Sequence, residues 1–176
     1  MIKPQDAVAA ARALLGTPYS EMDCIRLIVM IIRRCPGGEA QYRCEGTNWL
    51  WRSMDNSSRY RHLTWRQEGV SGAQAGMLAF KRSGGDVHHV GLVTGEGTVI
   101  HSSSAYGRVV ETPLDGSWQL LARHREIAAA AAQDAPGAPA AGCTGDDALS
   151  APVTSLMREE DGACIQIYGR WRVAQD

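Results

Sequence analysis

Cys24, His89 and His101 are the residues whose types and spacing point to nucleophilic chemistry. Cys24 follows Asp23 and stands at the edge of the apolar run "IRLIVMII", residues 25 to 32, where a helix should begin. With Asp23 as N-cap the thiol falls in the first turn. The unpaired N–H groups and the positive end of the helix dipole favour a thiolate there, and they offer donors for an oxyanion. A cysteine at that point can also simply fill space at the top of a buried helix.

A nucleophilic thiol needs a base. His62 and His124 have polar or basic neighbours and read as surface residues. His88, His89 and His101 lie on "DVHHVGLVTGEGTVIHSSS", residues 86 to 104, which reads as a β-hairpin. With Gly95, Glu96 and Gly97 as a three-residue loop and Gly97 at the positive-φ position, Thr94 pairs with Thr98. His89, Gly91, Val93, Val99, His101 and Ser103 then share one face, with His88, Val90, Leu92 and Ile100 on the other, a core face apart from His88. His89 and His101 become diagonal neighbours. In that register His89 is the general base for Cys24, and His101 fixes the His89 tautomer as the third member of a triad. A two-residue loop would separate the pair. His88 and His89 point to opposite faces and cannot chelate one ion together. His89 with His101 can, but the only obvious further ligand is Cys24, so neither a metal nor an organic cofactor is expected.

These side chains must be positioned by α+β elements. "QDAVAAARALLG" predicts a helix with Val8, Ala11 and Leu15 on one face, ending at Gly16. A second helix is predicted over Cys24 to Arg34, apolar nearly all round and therefore central, and a short third one from Thr47 with that residue as cap. From residue 76 the pattern becomes short Val/Ile/Leu-rich runs separated by Gly, Pro or Asp turns, hence antiparallel strands. Residues 39 to 75 carry Trp49, Trp51 and Trp65 with Arg52, Arg59, Arg61 and Arg66. They can line a groove, but a helical core with a solvated face is the simpler reading. Residues 128 to 152 read as an Ala/Gly/Pro-rich linker. Residues 153 to 176 read as a short C-terminal β-hairpin, docked on the main unit or the remnant of another module. The main domain is thus 1 to 127.

The motifs, in their order, resemble those of the NlpC-type cell-wall peptidases, papain-like cysteine enzymes of bacteria and their phages. "ALLGTPY" at 13 to 19 resembles the family's helix end and turn. "DC" at 23 and 24 resembles its nucleophile motif, and "AGMLAF" at 75 to 80 its first barrel strand. "HVGLVTGEGTVIHSSS" from His89 resembles its His-bearing strand pair, and "GRVVETPL" and "WQLLARHR" its closing strands. The resemblance implies a papain-like fold, N-terminal helices packed on an antiparallel five- to six-stranded sheet. It implies Cys24 as nucleophile, His89 as base, His101 as third polar residue, and Tyr19 with its hydroxyl at the thiol side. It also implies hydrolysis of amide bonds in peptidoglycan stem peptides, commonly the bond from D-glutamate to a diamino acid. The sequence departs from the family pattern at Ile25 and Arg26, where Ser-Gly is common, and at Ala75 and Met77, where Pro and Asp are common. Arg26 is a candidate contact for a substrate carboxylate or a solvent-facing helix residue. Two other readings share these residues: a thiol amidase or acyltransferase on a non-wall substrate, and a non-catalytic binding module of the same fold.

Composition narrows the partners. The 176 residues carry a net charge of -1, which gives no reason to expect nucleic acid. No apolar run reaches the roughly 18 residues of a membrane span. Five cysteines without a CxxC pair indicate neither a zinc knuckle nor a disulfide framework. No signal peptide is read in the first residues, so the expected setting is a phage or prophage product acting at the cell wall.

Overall fold

Six antiparallel strands form one sheet, with helices from the first third of the chain on one face; the computed structural model describes residues 1–56 and 61–129. The expected hairpin at 153–176, most of the expected linker, Arg59, Cys143 and Cys164 lie outside the described residues.

Helix α1 spans Pro4–Arg12, with Pro4 in its first turn and Arg12 in its last. It ends earlier than predicted. Leu14 N–H turns back to Ala11 O, a tightened last turn, so Leu14 is buried and Leu15 is 42% exposed, the reverse of the expected face. Helix α2 spans Cys24–Arg34 as predicted, buries Leu27, Ile28, Val29, Ile31 and Ile32, and leaves Arg26 and Arg33 in solvent. Its start is set by Asp23, whose Oδ1 accepts the Arg26 N–H at 2.7 Å. Asp23→Ala is expected to lower Tm by about 3–5 °C, from the roughly 1 kcal/mol that such a cap contributes; a thermal melt checks it. Helix α3 is Thr47–Arg52. Its cap is Gly46, whose carbonyl accepts the Leu50 N–H, so Thr47 is its first helical residue and not the expected cap.

The strands are β1 (Leu63–Glu68), β2 (Leu78–Ser83), β3 (Asp86–Val93), β4 (Thr98–Ser103), β5 (Arg108–Pro113) and β6 (Leu120–His124), in the order β1-β6-β2-β3-β4-β5. β1 corrects the helical reading of residues 39 to 75. It is an edge strand with Leu63 its only fully buried residue, so it lacks the alternation that marks a half-buried strand. The tryptophans of this region are packing residues: Trp51 meets Phe80 edge-on, Trp49 tilts over His62, and Arg123 lies over Trp65.

The sheet buries two different faces. Leu78, Phe80, Val90, Leu92, Ile100 and Leu120 pack against α1 and α2 in the main core. Ala79, Val93, Val99, Trp118 and Leu121 form a smaller cluster with Met77. The predicted alternation of the β3–β4 hairpin holds: Leu92 pairs with Ile100, Val93 with Val99, and Thr94 N–H donates to Thr98 O at 3.0 Å. Gly97 has φ 78° and Gly95 φ 90°, the left-handed region the loop requires.

Candidate active site

The site forms where β3 and β4 part. Their ladder is confined to Leu92–Ile100 and Val93–Val99. One further hydrogen-bonded step would put the Val90 N–H on Ser102. Instead the start of α2 enters there. Ser102 Oγ donates to Met22 O, which pins the approach to the helix, and the Val90 N–H turns to the Cys24 sulfur. The thiol is therefore held against the residue that follows His89. The loop ahead of it is anchored to the start of β5, with Tyr19 N–H donating to Gly107 O at 2.8 Å and Gly16 N–H to Val109 O at 2.9 Å.

His89 is aimed by a bulge that sequence reasoning missed. Lys81 pairs with His89 and Arg82 with Val87, so His88 is an extra residue on β3. The bulge reverses the alternation, which lets Val87 face the main core while His89 faces the other way. Asn48 on α3 holds the strand start, accepting the Val87 N–H at 2.9 Å and donating to Asp86. His89 Nε2 lies 2.8 Å from His101 Nδ1, the diagonal contact expected from the register. Gly91 makes room for it: a Cβ there would lie 3.0 Å from the His101 Cβ and 2.4 Å from Val99 Cγ1. His101 Nε2 continues to Thr112 Oγ1 on β5 at 3.1 Å, a fourth member the sequence did not mark. A tautomer in which His101 Nε2–H donates to Thr112 makes His101 Nδ1 the acceptor of a His89 Nε2–H and leaves a lone pair on His89 Nδ1; the opposite tautomer reverses the chain. Trp118, 2% exposed, lies 5.6 Å from the His89 ring and 5.2 Å from that of His101, and Lys81 Nζ sits 4.6 Å from its centroid.

Burial favours the uncharged forms of the site's side chains. Burial pushes the Cys24 thiol up, against the N–H groups of Val90, Ile25 and Cys24 itself, and Asp23 adds to the rise. Burial first, then His101, Lys81 and His88, lower His89 to about 4; burial and Lys81 lower His101 to about 4. Desolvation thus outweighs the helix-start preference for a thiolate. The Asp23 side chain takes the Arg26 N–H, which leaves those of Cys24 and Ile25 beside the sulfur for an oxyanion.

A groove of about 650 Å³ opens beside Cys24, lined by Tyr19, Arg26, Arg33, Arg43 and Thr47 among others. Cys44 also reaches it, but burial pushes that thiol up to about 11. Tyr19 is 36% exposed; burial, then Cys24 and Asp23, raise its hydroxyl pKa. Among the described residues no three of His, Cys, Asp and Glu converge to hold a metal ion, and no helix is long and apolar enough to cross a membrane.

His62 and His124 are not surface residues. They are 7% and 1% exposed and flank Tyr42, whose hydroxyl meets His124 Nε2 at 2.8 Å. Their basic neighbours Arg61, Arg123 and Arg125 mask the burial in the sequence. Burial, chiefly, lowers His62 to about 4 and His124 to about 3. Four histidines thus bind protons in the unfolded chain near pH 6.5 but in the fold only near 4 or below. Their contribution is complete above about pH 6.5 and is lost as pH falls toward 4, at up to about 1.4 kcal/mol per pH unit for each. The urea midpoint is expected to drop steeply between pH 7 and pH 4.5; an unchanged midpoint would count against neutral buried imidazoles.

Three helices packed on one open, antiparallel six-stranded sheet define a papain-like α+β architecture. The particular form is that of NlpC/p60 domains. The NlpC/p60 domain of the peptidoglycan hydrolase SagA matches at TM-score 0.50 and 23% identity, over 68% of this chain and 97% of that one. The peptidoglycan hydrolase RipB from Mycobacterium tuberculosis matches at 0.51 and 18% identity, over 68% of this chain and 63% of that one. An NlpC/p60 family protein from Bacillus cereus matches at 0.50 and 22%, over 68% and 39%. The matched region thus spans less than two thirds of the last two proteins. At these identities the likeness is one of fold. Neither a family model nor a curated protein matches the sequence.

Proposed function

We propose that this chain is a cysteine hydrolase that cleaves an amide bond in peptidoglycan stem peptides, the D-glutamyl–diamino acid bond being the expected target. The observation that carries the proposal is the His89–His101 contact at 2.8 Å, together with a thiol that opens α2 and takes the N–H of Val90, the residue after His89. The setting suits acyl transfer. Substrate arrival displaces water from the groove, Cys24 Sγ attacks the carbonyl carbon, and His89 Nδ1 takes the thiol proton. The oxyanion is met by the N–H groups of Cys24 and Ile25. His89 then gives the proton to the leaving amine, and water, activated by the same imidazole, releases the acid and restores the thiol. The solved relatives of this fold named as peptidoglycan hydrolases support the choice of substrate.

Incubation of purified muropeptides with the full chain, followed by mass spectrometry of the fragments, tests the proposal. The expected products are two fragments whose masses sum to substrate plus one water, absent with Cys24→Ala. Intact muropeptides alongside turnover of other amides or acyl donors would move the reading to a thiol amidase or acyltransferase.

A further inference from the structure

One wall of the groove beside Cys24 is the solvent face of α2. Arg26 and Arg33 stand seven residues apart on it, about 10 Å along the helix axis. Val29 and Ile25 lie between and beside them as an apolar floor. Residues 43 to 47 line another side and contribute Arg43 and Glu45, with Tyr19 and Asp23 also in the lining.

These arginines are held but not neutralised. Arg33 Nε donates to Tyr42 O at 2.8 Å, which anchors the guanidinium and leaves its terminal nitrogens unused by the described residues. Arg26 Nη1 reaches only a backbone acceptor, Glu21 O, at 3.3 Å. Arg43 is exposed and has no hydrogen bond or ion pair among the described residues. Every ion pair among those residues uses Arg12, Arg66, Arg82 or Arg125. In the groove three guanidiniums meet two carboxylates, and that of Asp23 is committed to the Arg26 backbone N–H. A guanidinium fork matches a carboxylate with two parallel hydrogen bonds, so three unpaired forks around an apolar floor are built for an acid-bearing ligand.

We propose that Arg26, Arg33 and Arg43 form a carboxylate-recognition wall that selects acidic peptides and holds their free carboxylates while the scissile amide lies at Cys24. This rests on the reading of the groove as the substrate groove and deepens it. Arg26 acts here as a specificity residue, not as a solvated helix position.

The test measures binding apart from chemistry. Full-length Cys24→Ala protein is titrated calorimetrically with a synthetic Ala–γ-D-Glu–diamino acid peptide, then with the same peptide whose carboxylates are converted to carboxamides. The acid form is expected to bind roughly tenfold tighter or more, the worth of one charge-assisted contact, and to weaken as salt is raised. Adding Arg43→Gln or Arg26→Gln should each reduce that preference, and the pair should reduce it further, to what Arg33 alone supports. Circular dichroism melts check that the variants keep the fold, and Arg33→Lys, which keeps the charge, should retain most of the preference. A preference for the acid form that the arginine variants lose supports the wall, even if the Cys24 enzyme cleaves nothing. Equal binding of both peptides overturns it, even if the Cys24 enzyme cleaves both. Failure of either peptide to bind overturns it as well.

Discussion

Cys24→Ala is expected to lower turnover of a muropeptide substrate by about 10^4-fold or more, the scale seen when a catalytic nucleophile is removed. The reason is positional. Of the three cysteines among the described residues, Cys35 is buried with its Sγ against Asp6 O, and Cys44 is held protonated by burial and bonded to Gly46 O. Only the Cys24 sulfur lies at the first turn of a long helix with the N–H groups of Val90, Ile25 and Cys24 directed on it. Cys24→Ser keeps the size and the hydrogen bond but offers a far weaker nucleophile, so it should be nearly as inactive. Cys35→Ala should leave kcat/KM within about twofold, because it touches only α1 and the core. Trapping of an acyl adduct on Cys24, seen as a mass shift on its tryptic peptide, separates covalent catalysis from a role in shaping the groove. Full turnover by Cys24→Ala would end the thiol mechanism.

The second large effect concerns the imidazoles. His89→Ala is expected to cost about 10^2- to 10^4-fold in kcat/KM, the usual contribution of a positioned general base. His101→Ala should cost less, because it removes the orienter and not the base. Thr112→Val should cost least, since it only frees the far nitrogen of His101. The pH profile distinguishes these roles from a structural one. On the proposed mechanism the wild-type rate needs neutral His89, so its acid limb belongs near the lowered value of about 4, and activity should be nearly flat from pH 5.5 to 8. Without His89 the thiol must ionise unaided. Burial has raised its pKa, so the residual rate of His89→Ala should climb with pH into the alkaline range. A His89→Ala variant with the wild-type pH profile would remove that residue from the proton path.

Much of this was legible in local patterns. Asp23 before an apolar run marks the start of α2 because capping acts within three residues, and the observed helix spans Cys24–Arg34 as read. The Gly-Glu-Gly loop sets the hairpin parity, which placed His89 and His101 on one face; strand alternation is a property of the backbone itself. The edge strand β1 and the buried Tyr42–His62–His124 cluster were not legible. β1 buries one residue fully, and the histidines are sheltered by α3 and Tyr42, both distant along the chain.

The sequence alone determined which thiol opens a helix, which imidazoles share a strand face and which motifs run in the order of a papain-like domain, because each depends on spacings of a few residues. Only the tertiary structure decided where the thiol meets the sheet. The early end of the β3–β4 ladder, the bulge at His88 and the room at Gly91 are settled by pairing between segments far apart in the chain. The protonation of the site was decided there too. Desolvation depends on everything packed around a group, and it pushes the Cys24 thiol up, where helix position favoured a thiolate, and His89 down.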